Sequence, residues 1–448
     1  MSLWFRLWAV ALLICRIFSP PPPPPPSPPR THQQHTLSSR GHSSPVLDLC
    51  FSPFLSSASL LATGSSDCTV KLWEVNADGG GEAKQTLAGH QRPVRLVRFL
   101  PSAPGLLLSA SLDTSVCLWD VESGSQEPVA MFGGDQFGGG GGGGGGGSAA
   151  RLDWASAAMS LSFSSDGRCV VAALRDGGLR ILDLRVGSKP AGVLGGTVET
   201  SPQGHRVAWA GQTPLICSSG KGVGSDSSKR MLRIFDTRKL GDSVAAGSTL
   251  APAAQSELDR GSGLLRPHYD EGLGVVYLAA KGESSVKAFD LQATETETTL
   301  FSCASTQCPG PPLEGMCMVP RRCLNARSVE VARFLRFTRD ARRGGCVEGL
   351  SFTLPRAARL LSFFQDDIFP PCRSGAPAFA SVQAWSSHST DVAEPEAPRM
   401  SMCPEGMKPL SEQPRHVREN SAGSGGPKAV RVGGESRRFQ EAKPPTQL

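Results

Sequence analysis

The chain has 448 residues, a net charge of +6, 39% apolar residues and 13 cysteines. An odd cysteine count with no C-x-x-C pair and no histidine at zinc-like spacing argues against a disulfide framework or a structural zinc, and for a reducing compartment. The positive surplus is modest, and the basic stretches lack the interleaved aromatics that stack bases, so nucleic acid is the weakest partner class.

Residues 1–40 are atypical. Leu7–Ile17 is mostly apolar, with Arg6 before it and Arg16 near its end, and prolines fill residues 20–26. The apolar run is too short to span a bilayer and lacks a small-residue cleavage site after it. It reads as a disordered, non-native start, with secretion as the minority alternative.

From residue 41 a repeat begins. GHSSPVLDLCFSPFLSSASLLATGSSDCTVKLWEV (residues 41–75) and GHQRPVRLVRFLPSAPGLLLSASLDTSVCLWDV (residues 89–121) share one grammar of Gly-His, apolar strand, Asp turn and Trp followed by an acid. Asp67 precedes Trp73 by six residues, as Asp113 precedes Trp119, and the two aspartates are 46 apart. That spacing predicts WD40-type β-propeller blades, so an all-β fold. Within each blade the spacing predicts a hydrogen-bond chain through His42, Thr63, Asp67 and Trp73, and through His90, Ser109, Asp113 and Trp119. The same residue types would suit a catalytic triad, but sets buried inside blades meet no substrate, and these are read as structural.

Farther along the grammar loosens. A glycine-rich insertion at 133–149 contains ten consecutive glycines, residues 138–147, and reads as a flexible loop. Residues 162–185 keep the turn at Asp176 with Leu182 in place of Trp. Gly204, His205 and Trp209 open another unit that ends at Phe235 and Asp236, after a long turn at 221–229. Residues 275–291 end a fifth at Phe289 and Asp290, and 328–340 with 347–356 are expected to supply two strands of a closing sixth, a short helix being the alternative for the first run. Residues 321–343 carry eight arginines (321, 322, 327, 333, 336, 339, 342 and 343) against Glu330 and Asp340. They suit either an acidic partner or a solvated outer strand. Residues 391–448 are polar, Pro- and Gly-rich and free of heptads; a disordered tail and a monomer are expected.

DLCFSPFLSSASLLATGSSDCTVKLWEV, FSSDGRCVVAALRDGGLRILDLR, PHYDEGLGVVYLAAKGESSVKAFDL and MVPRRCLNARSVEVARFLRF together resemble the coronin family, most nearly the first propeller of its long tandem-propeller members. LPRAARLLSFFQDDIFPPCRSG (residues 354–375) is similar to the extension that follows the last coronin blade. The resemblance implies a seven-bladed propeller, of which about six blades are recognisable over 41–353, with a packed extension at 354–390. The first blade with its basic motif, the second propeller and the coiled coil of short members are not recognisable. It further implies a non-catalytic, cofactor-free scaffold that binds filamentous actin. Such a scaffold would link actin to Golgi or endosomal trafficking proteins from the cytoplasm, with at most peripheral membrane contact. The alternative is a general WD40 adaptor, such as a ubiquitin-ligase substrate receptor. Individual actin-binding residues do not carry over. On charge alone, Lys71, Arg92, Arg95, Arg98, Arg321 and Arg322 are the candidate surface for an acidic partner. In the extension, Phe363, Phe364, Ile368 and Phe369 are expected to pack under the propeller, while Asp366 and Asp367 face water or cap a turn.

Overall fold

Short apolar runs separated by polar turns can bury themselves only by pairing with their sequence neighbours, and in the computed structural model they form six antiparallel sheets in chain order. The structure describes residues 41–54, 56–57, 59–76, 81–133, 156–185, 205–222, 229–239, 251–294, 297–308, 310–340, 344–388 and 395–413. The expected disordered start at 1–40, the polyglycine run, Gly204, Arg342, Arg343 and the tail beyond 413 lie outside them.

Sheet 1 comprises β1 (Val46–Phe51), β2 (Leu60–Ser65), β3 (Thr69–Val75) and β4 (Gly81–Ala88). Sheet 2 comprises β5 (Val94–Phe99), β6 (Leu106–Ser111), β7 (Ser115–Asp120) and β8 (Ala130–Gly133), and sheet 3 has β9 (Ala158–Phe163), β10 (Cys169–Leu174) and β11 (Leu179–Asp183). Sheet 4 contains β12 (His205–Trp209), β13 (Leu215–Lys221), β14 (Arg230–Asp236) and β15 (Ala254–Asp259). Sheet 5 contains β16 (Leu265–Asp270), β17 (Val275–Ala280), β18 (Ser285–Ala293) and β19 (Thr298–Gln307). Sheet 6 is β20 (Leu313–Met318), β21 (Glu330–Asp340) and β22 (Gly344–Thr353). The run from 328 is therefore strand from Glu330 onward, after a 3-10 turn at Ala326–Ser328, as preferred for the closing blade.

The first strands of sheets 1 to 5 lie side by side in succession, which places them innermost around an axis. Their burial alternates, as in β1 and β5, because one face of each looks onto that axis. The second strands, by contrast, are buried on both faces: β6 (LLLSAS) has no exposed residue. A strand enclosed on both sides reads as a continuous apolar and small-residue run, which is why LLATGS and LLLSAS show no alternation.

Apolar clusters fill the spaces between sheets 1 and 2, 2 and 3, 3 and 4, 4 and 5, and 5 and 6. Innermost side chains also stitch neighbours together. Asp48 accepts the Val97 amide at 3.1 Å, and Ser160 and Ser162 accept the Val207 and Trp209 amides at 3.2 and 2.9 Å. Among the described residues no apolar cluster joins sheet 6 to sheet 1. Leu49, Phe51, Leu61 and Trp73 cluster within sheet 1, and Cys317, Val319, Leu335 and Phe337 within sheet 6.

After β22 the chain straps the sheets together. Phe364, Ile368 and Phe369 are buried against Tyr277, Phe334 and Phe352 of sheets 5 and 6, and Phe363 is half-buried. Cys372–Arg373 (β23) follows, then a short helix, α1 (Val382–Ser386), capped by the Ser381 hydroxyl. Phe379, Val382 and Trp385 join the core between sheets 2 and 3, and the Ala378 and Phe379 amides donate to the Ser102 carbonyl at 2.9 and 3.0 Å. Asp366 accepts the Ser411 amide at 3.1 Å, and the exposed Asp367 pairs with Arg356. The tail expected to be disordered from 391 needs correction for residues 395–413. Arg399–Met400 (β24) pairs with β23, and Phe364 exchanges backbone bonds with Lys408 and Leu410. Few apolar residues mark this segment in sequence because it only covers a strap that is already buried.

Candidate functional site

Each predicted histidine chain assembles as spaced. His42 bonds Asp67 through Nδ1 at 2.9 Å and Thr63 Oγ1 through Nε2 at 2.7 Å, and the Trp73 indole donates to the same hydroxyl at 2.8 Å. In sheet 2 the matching distances are 3.1 Å for His90–Asp113, 2.7 Å for His90–Ser109 and 2.8 Å for Trp119–Ser109. Donor accounting sets the protons: an indole N–H only donates, so Ser109 accepts it and passes its own proton to His90 Nε2, leaving Nδ1–H for Asp113. Asp113 also accepts the Ser115 hydroxyl and the Gln91 and Ser115 amides; despite its burial, the bonds from His90 and Ser115 hold its carboxyl well below the usual carboxylate range.

This is hydroxyl–imidazole–carboxylate geometry, but the hydroxyl is enclosed. Ser109 and Thr63 have no exposed surface, and each already carries an indole. A nucleophile without access to a carbonyl carbon performs no acyl transfer; these sets pin the blade turns. The glycine of the second Gly-His pair has its own reason. A Cβ at Gly89 would stand 2.9 Å from the Trp119 ring, whereas Gly41 has open space around it. Residue Thr114, after the turn aspartate, is left-handed with φ 68°, as is Cys68, while Gly177 takes that role in sheet 3 with φ 92°.

The six basic candidates do not converge on one patch. Lys71 is half-buried on β3, Arg92 is exposed in the loop before β5, and Arg95 and Arg98 lie on β5, innermost in the ring. Two of them are not free surface cations. Arg98 pairs with Asp48, and Arg321 donates to both oxygens of the buried Asp270 at 2.7 Å. Several arginines of the 321–343 stretch are engaged as well. Arg333 pairs with Glu330, Arg336 with Glu348, and Arg327 donates to the Glu405 carbonyl at 2.7 Å. Sequence distance hid these partners, since Asp270 lies on another sheet and Glu405 on the returning tail. Arg322 remains half-buried beside the strap.

The twelve cysteines among the described residues are unbridged. Burial pushes the Cys117 and Cys217 thiols up to about 12, which suits filler rather than reactive roles. Among the described residues no group of three or more His, Cys, Asp or Glu side chains is placed to hold a metal, and no helix is long and apolar enough to cross a membrane.

Sequence and structure comparisons agree with this geometry. The family described as "WD domain, G-beta repeat" matches residues 32–74 and 81–120, and "Type of WD40 repeat" matches 347–392. The chain is 29% identical over 355 residues to the coronin-like protein crn1 of Schizosaccharomyces pombe, covering 78% of this chain and 51% of that protein. It is 28% identical over 384 residues to Coronin-7 of Rattus norvegicus, covering 84% of this chain and 36% of that one. The chain thus spans about half the length of crn1 and about a third of Coronin-7. The crystal structure of the WD40 domain from Toxoplasma gondii coronin superposes with a TM-score of 0.64 at 25% identity, covering 81% of this chain and 82% of that one. Repeat, sheet order and innermost-strand arrangement define a WD40 β-propeller protein. Within that class the chain is similar to coronins over about four fifths of its length.

Proposed function

We propose that this chain is a non-catalytic, coronin-type scaffold that associates with filamentous actin and holds trafficking proteins near it in the cytoplasm, including at Golgi or endosomal membranes. The observation that carries the reading is the extent of the coronin likeness: about four fifths of the chain aligns, and the strap that clamps sheets 5–6 to sheets 2–3 lies within the WD40-type match over 347–392. The enclosed hydroxyls of the histidine chains favour a scaffold over an enzyme, because the most triad-like groups are out of reach.

Co-sedimentation with actin filaments tests it. The protein is expected to pellet with filaments at low salt and progressively less toward roughly 0.3 M salt, as screening shortens the reach of exposed cations such as Arg92. No pelleting at low salt, together with affinity capture of ubiquitin-ligase subunits and no actin, replaces the scaffold with the adaptor reading.

A further inference from the structure

We propose that the axial channel binds a small phosphorylated polyanion, held by Arg95, Arg206 and Arg266.

Strand register brings these cations together. Asp48 of β1 pairs with Gly64, Arg206 of β12 with Ser219, and Arg266 of β16 with Ala279, one residue from the end of the same register on each second strand. Arg95 is the bulged residue of β5, between Val94 and Leu96, and Arg98 lies three residues on. All five belong to innermost strands, and β12 and β16 are immediate neighbours. The electrostatic couplings cross the axis: Arg206 of sheet 4 feels Arg95 of sheet 2, and Arg266 of sheet 5 feels Asp48 and Arg98 of sheets 1 and 2.

These positive charges outnumber their counter-charges. The first strands of the six sheets carry three carboxylates, and each is already engaged. Asp48 pairs with Arg98, Asp270 with Arg321, and Glu314 with Lys281. Among the described residues Arg95, Arg206 and Arg266 have no carboxylate at ion-pair distance. Arg95 and Arg266 are nonetheless exposed and Arg206 is half-exposed, so their guanidiniums reach solvent rather than a sealed core. Burial, then the charges of Arg266 and Arg95, push the Arg206 guanidinium down to about 10, a sign of cations gathered without an anion. Guanidiniums present planar donor forks that match phosphate oxygens, and several of them around one cavity select for more than one negative charge. The strap bonds to loops that follow the ends of the innermost strands, at Ser102 and Ser165, whereas Arg206 and Arg266 are each the second residue of their strand. The site therefore lies toward the face away from those contacts.

The test is thermal unfolding of the full chain in pyrophosphate against sodium chloride of equal ionic strength. About 5 mM pyrophosphate is expected to raise Tm by at least about 2 °C. The double variant Arg206→Gln/Arg266→Gln is expected to match or exceed the wild-type Tm without the anion, because a repulsive pair is gone, and to lose the pyrophosphate shift. Arginine modification of the wild-type chain by phenylglyoxal, mapped by peptide mass, gives a readout independent of variant folding: pyrophosphate protects Arg95, Arg206 and Arg266 but not Arg92. Flotation with neutral vesicles carrying a bisphosphorylated phosphoinositide separates the sources. Capture that the double variant loses assigns the site to a lipid headgroup, and absence of capture assigns it to a free phosphate compound. An unshifted wild type, an equal shift in the double variant, or no selective protection overturns the proposal. Loss of actin pelleting leaves it standing, since the site rests on the channel alone.

Discussion

At the residue scale, stability is concentrated in single buried atoms with several partners. Ser109 Oγ accepts the Trp119 indole and bonds His90 at once. Ser109→Ala strands an indole N–H and an imidazole nitrogen inside the blade, and a loss of about 1–3 kcal/mol is expected from urea unfolding. A variant as stable as the parent would mean that the chain contributes nothing to the fold. Thr114 makes the opposite case. It is β-branched, left-handed at φ 68°, and its buried hydroxyl has no hydrogen-bond partner among the described residues. Gly177 shows what the turn prefers. Thr114→Gly is expected to stabilise by about 1 kcal/mol, since strain relief exceeds the entropy cost of glycine; an unchanged or lower urea midpoint counts against that strain.

Strands two and three of each blade are legible in sequence at the element scale, because enclosure on both faces demands apolar runs and the Asp turn demands its own residue types. The strap is legible through its aromatic residues but not in its destination. Nothing local in AFASVQAW says that Trp385 reaches the core between sheets 2 and 3, where Arg185 lies 5.2 Å over both the Phe379 and Trp385 rings. Phe369 and Trp385 anchor the two ends. Phe369→Ala is expected to cost about 3–5 kcal/mol, as a fully buried ring in a filled cluster does. Trp385→Ala should instead free the far end, so that limited proteolysis cuts within 374–388 several-fold faster while Phe369 stays protected. Equal cleavage rates in wild type and variant would show that the end holds without its indole.

For the whole molecule, the ring behaves as a set of sheets coupled through shared faces, and two histidines at those faces set its response to acid. His205 bonds Ser218 Oγ at 2.9 Å, and His268 stacks edge-on to Phe334 of the next sheet at 5.8 Å. Burial holds both near a pKa of about 4, opposed for His205 by the Gly178 backbone and more weakly by Asp176 and assisted by Arg206 and Arg233, and assisted for His268 by Arg266. An unfolded histidine titrates at 6.5, so between those values the unfolded chain binds more protons than the folded one. Stability is therefore complete above about pH 6.5 and falls as the pH drops toward 4, by about 2–3 kcal/mol for each histidine. Urea unfolding at pH 7 and pH 5 reads this directly, and His205→Gln should remove part of the slope. A slope unchanged by that substitution would place the proton uptake elsewhere.

Repeat spacing was enough to specify blades, turns and the two histidine chains, because each of those depends on residues within a few dozen positions along the chain. Charge pairing was not readable in the same way. Arg98, Arg321 and Arg336 look like surface cations in sequence, yet each meets a carboxylate brought by a different strand, and Asp270 comes from a different sheet. The gathering of Arg95, Arg206 and Arg266 around one axis, and the return of residues 395–413 onto the strap, likewise required the sheets to be stacked first. Local hydrogen-bond grammar is written in consecutive residues, whereas electrostatic neighbours are chosen by the closure of the fold in space.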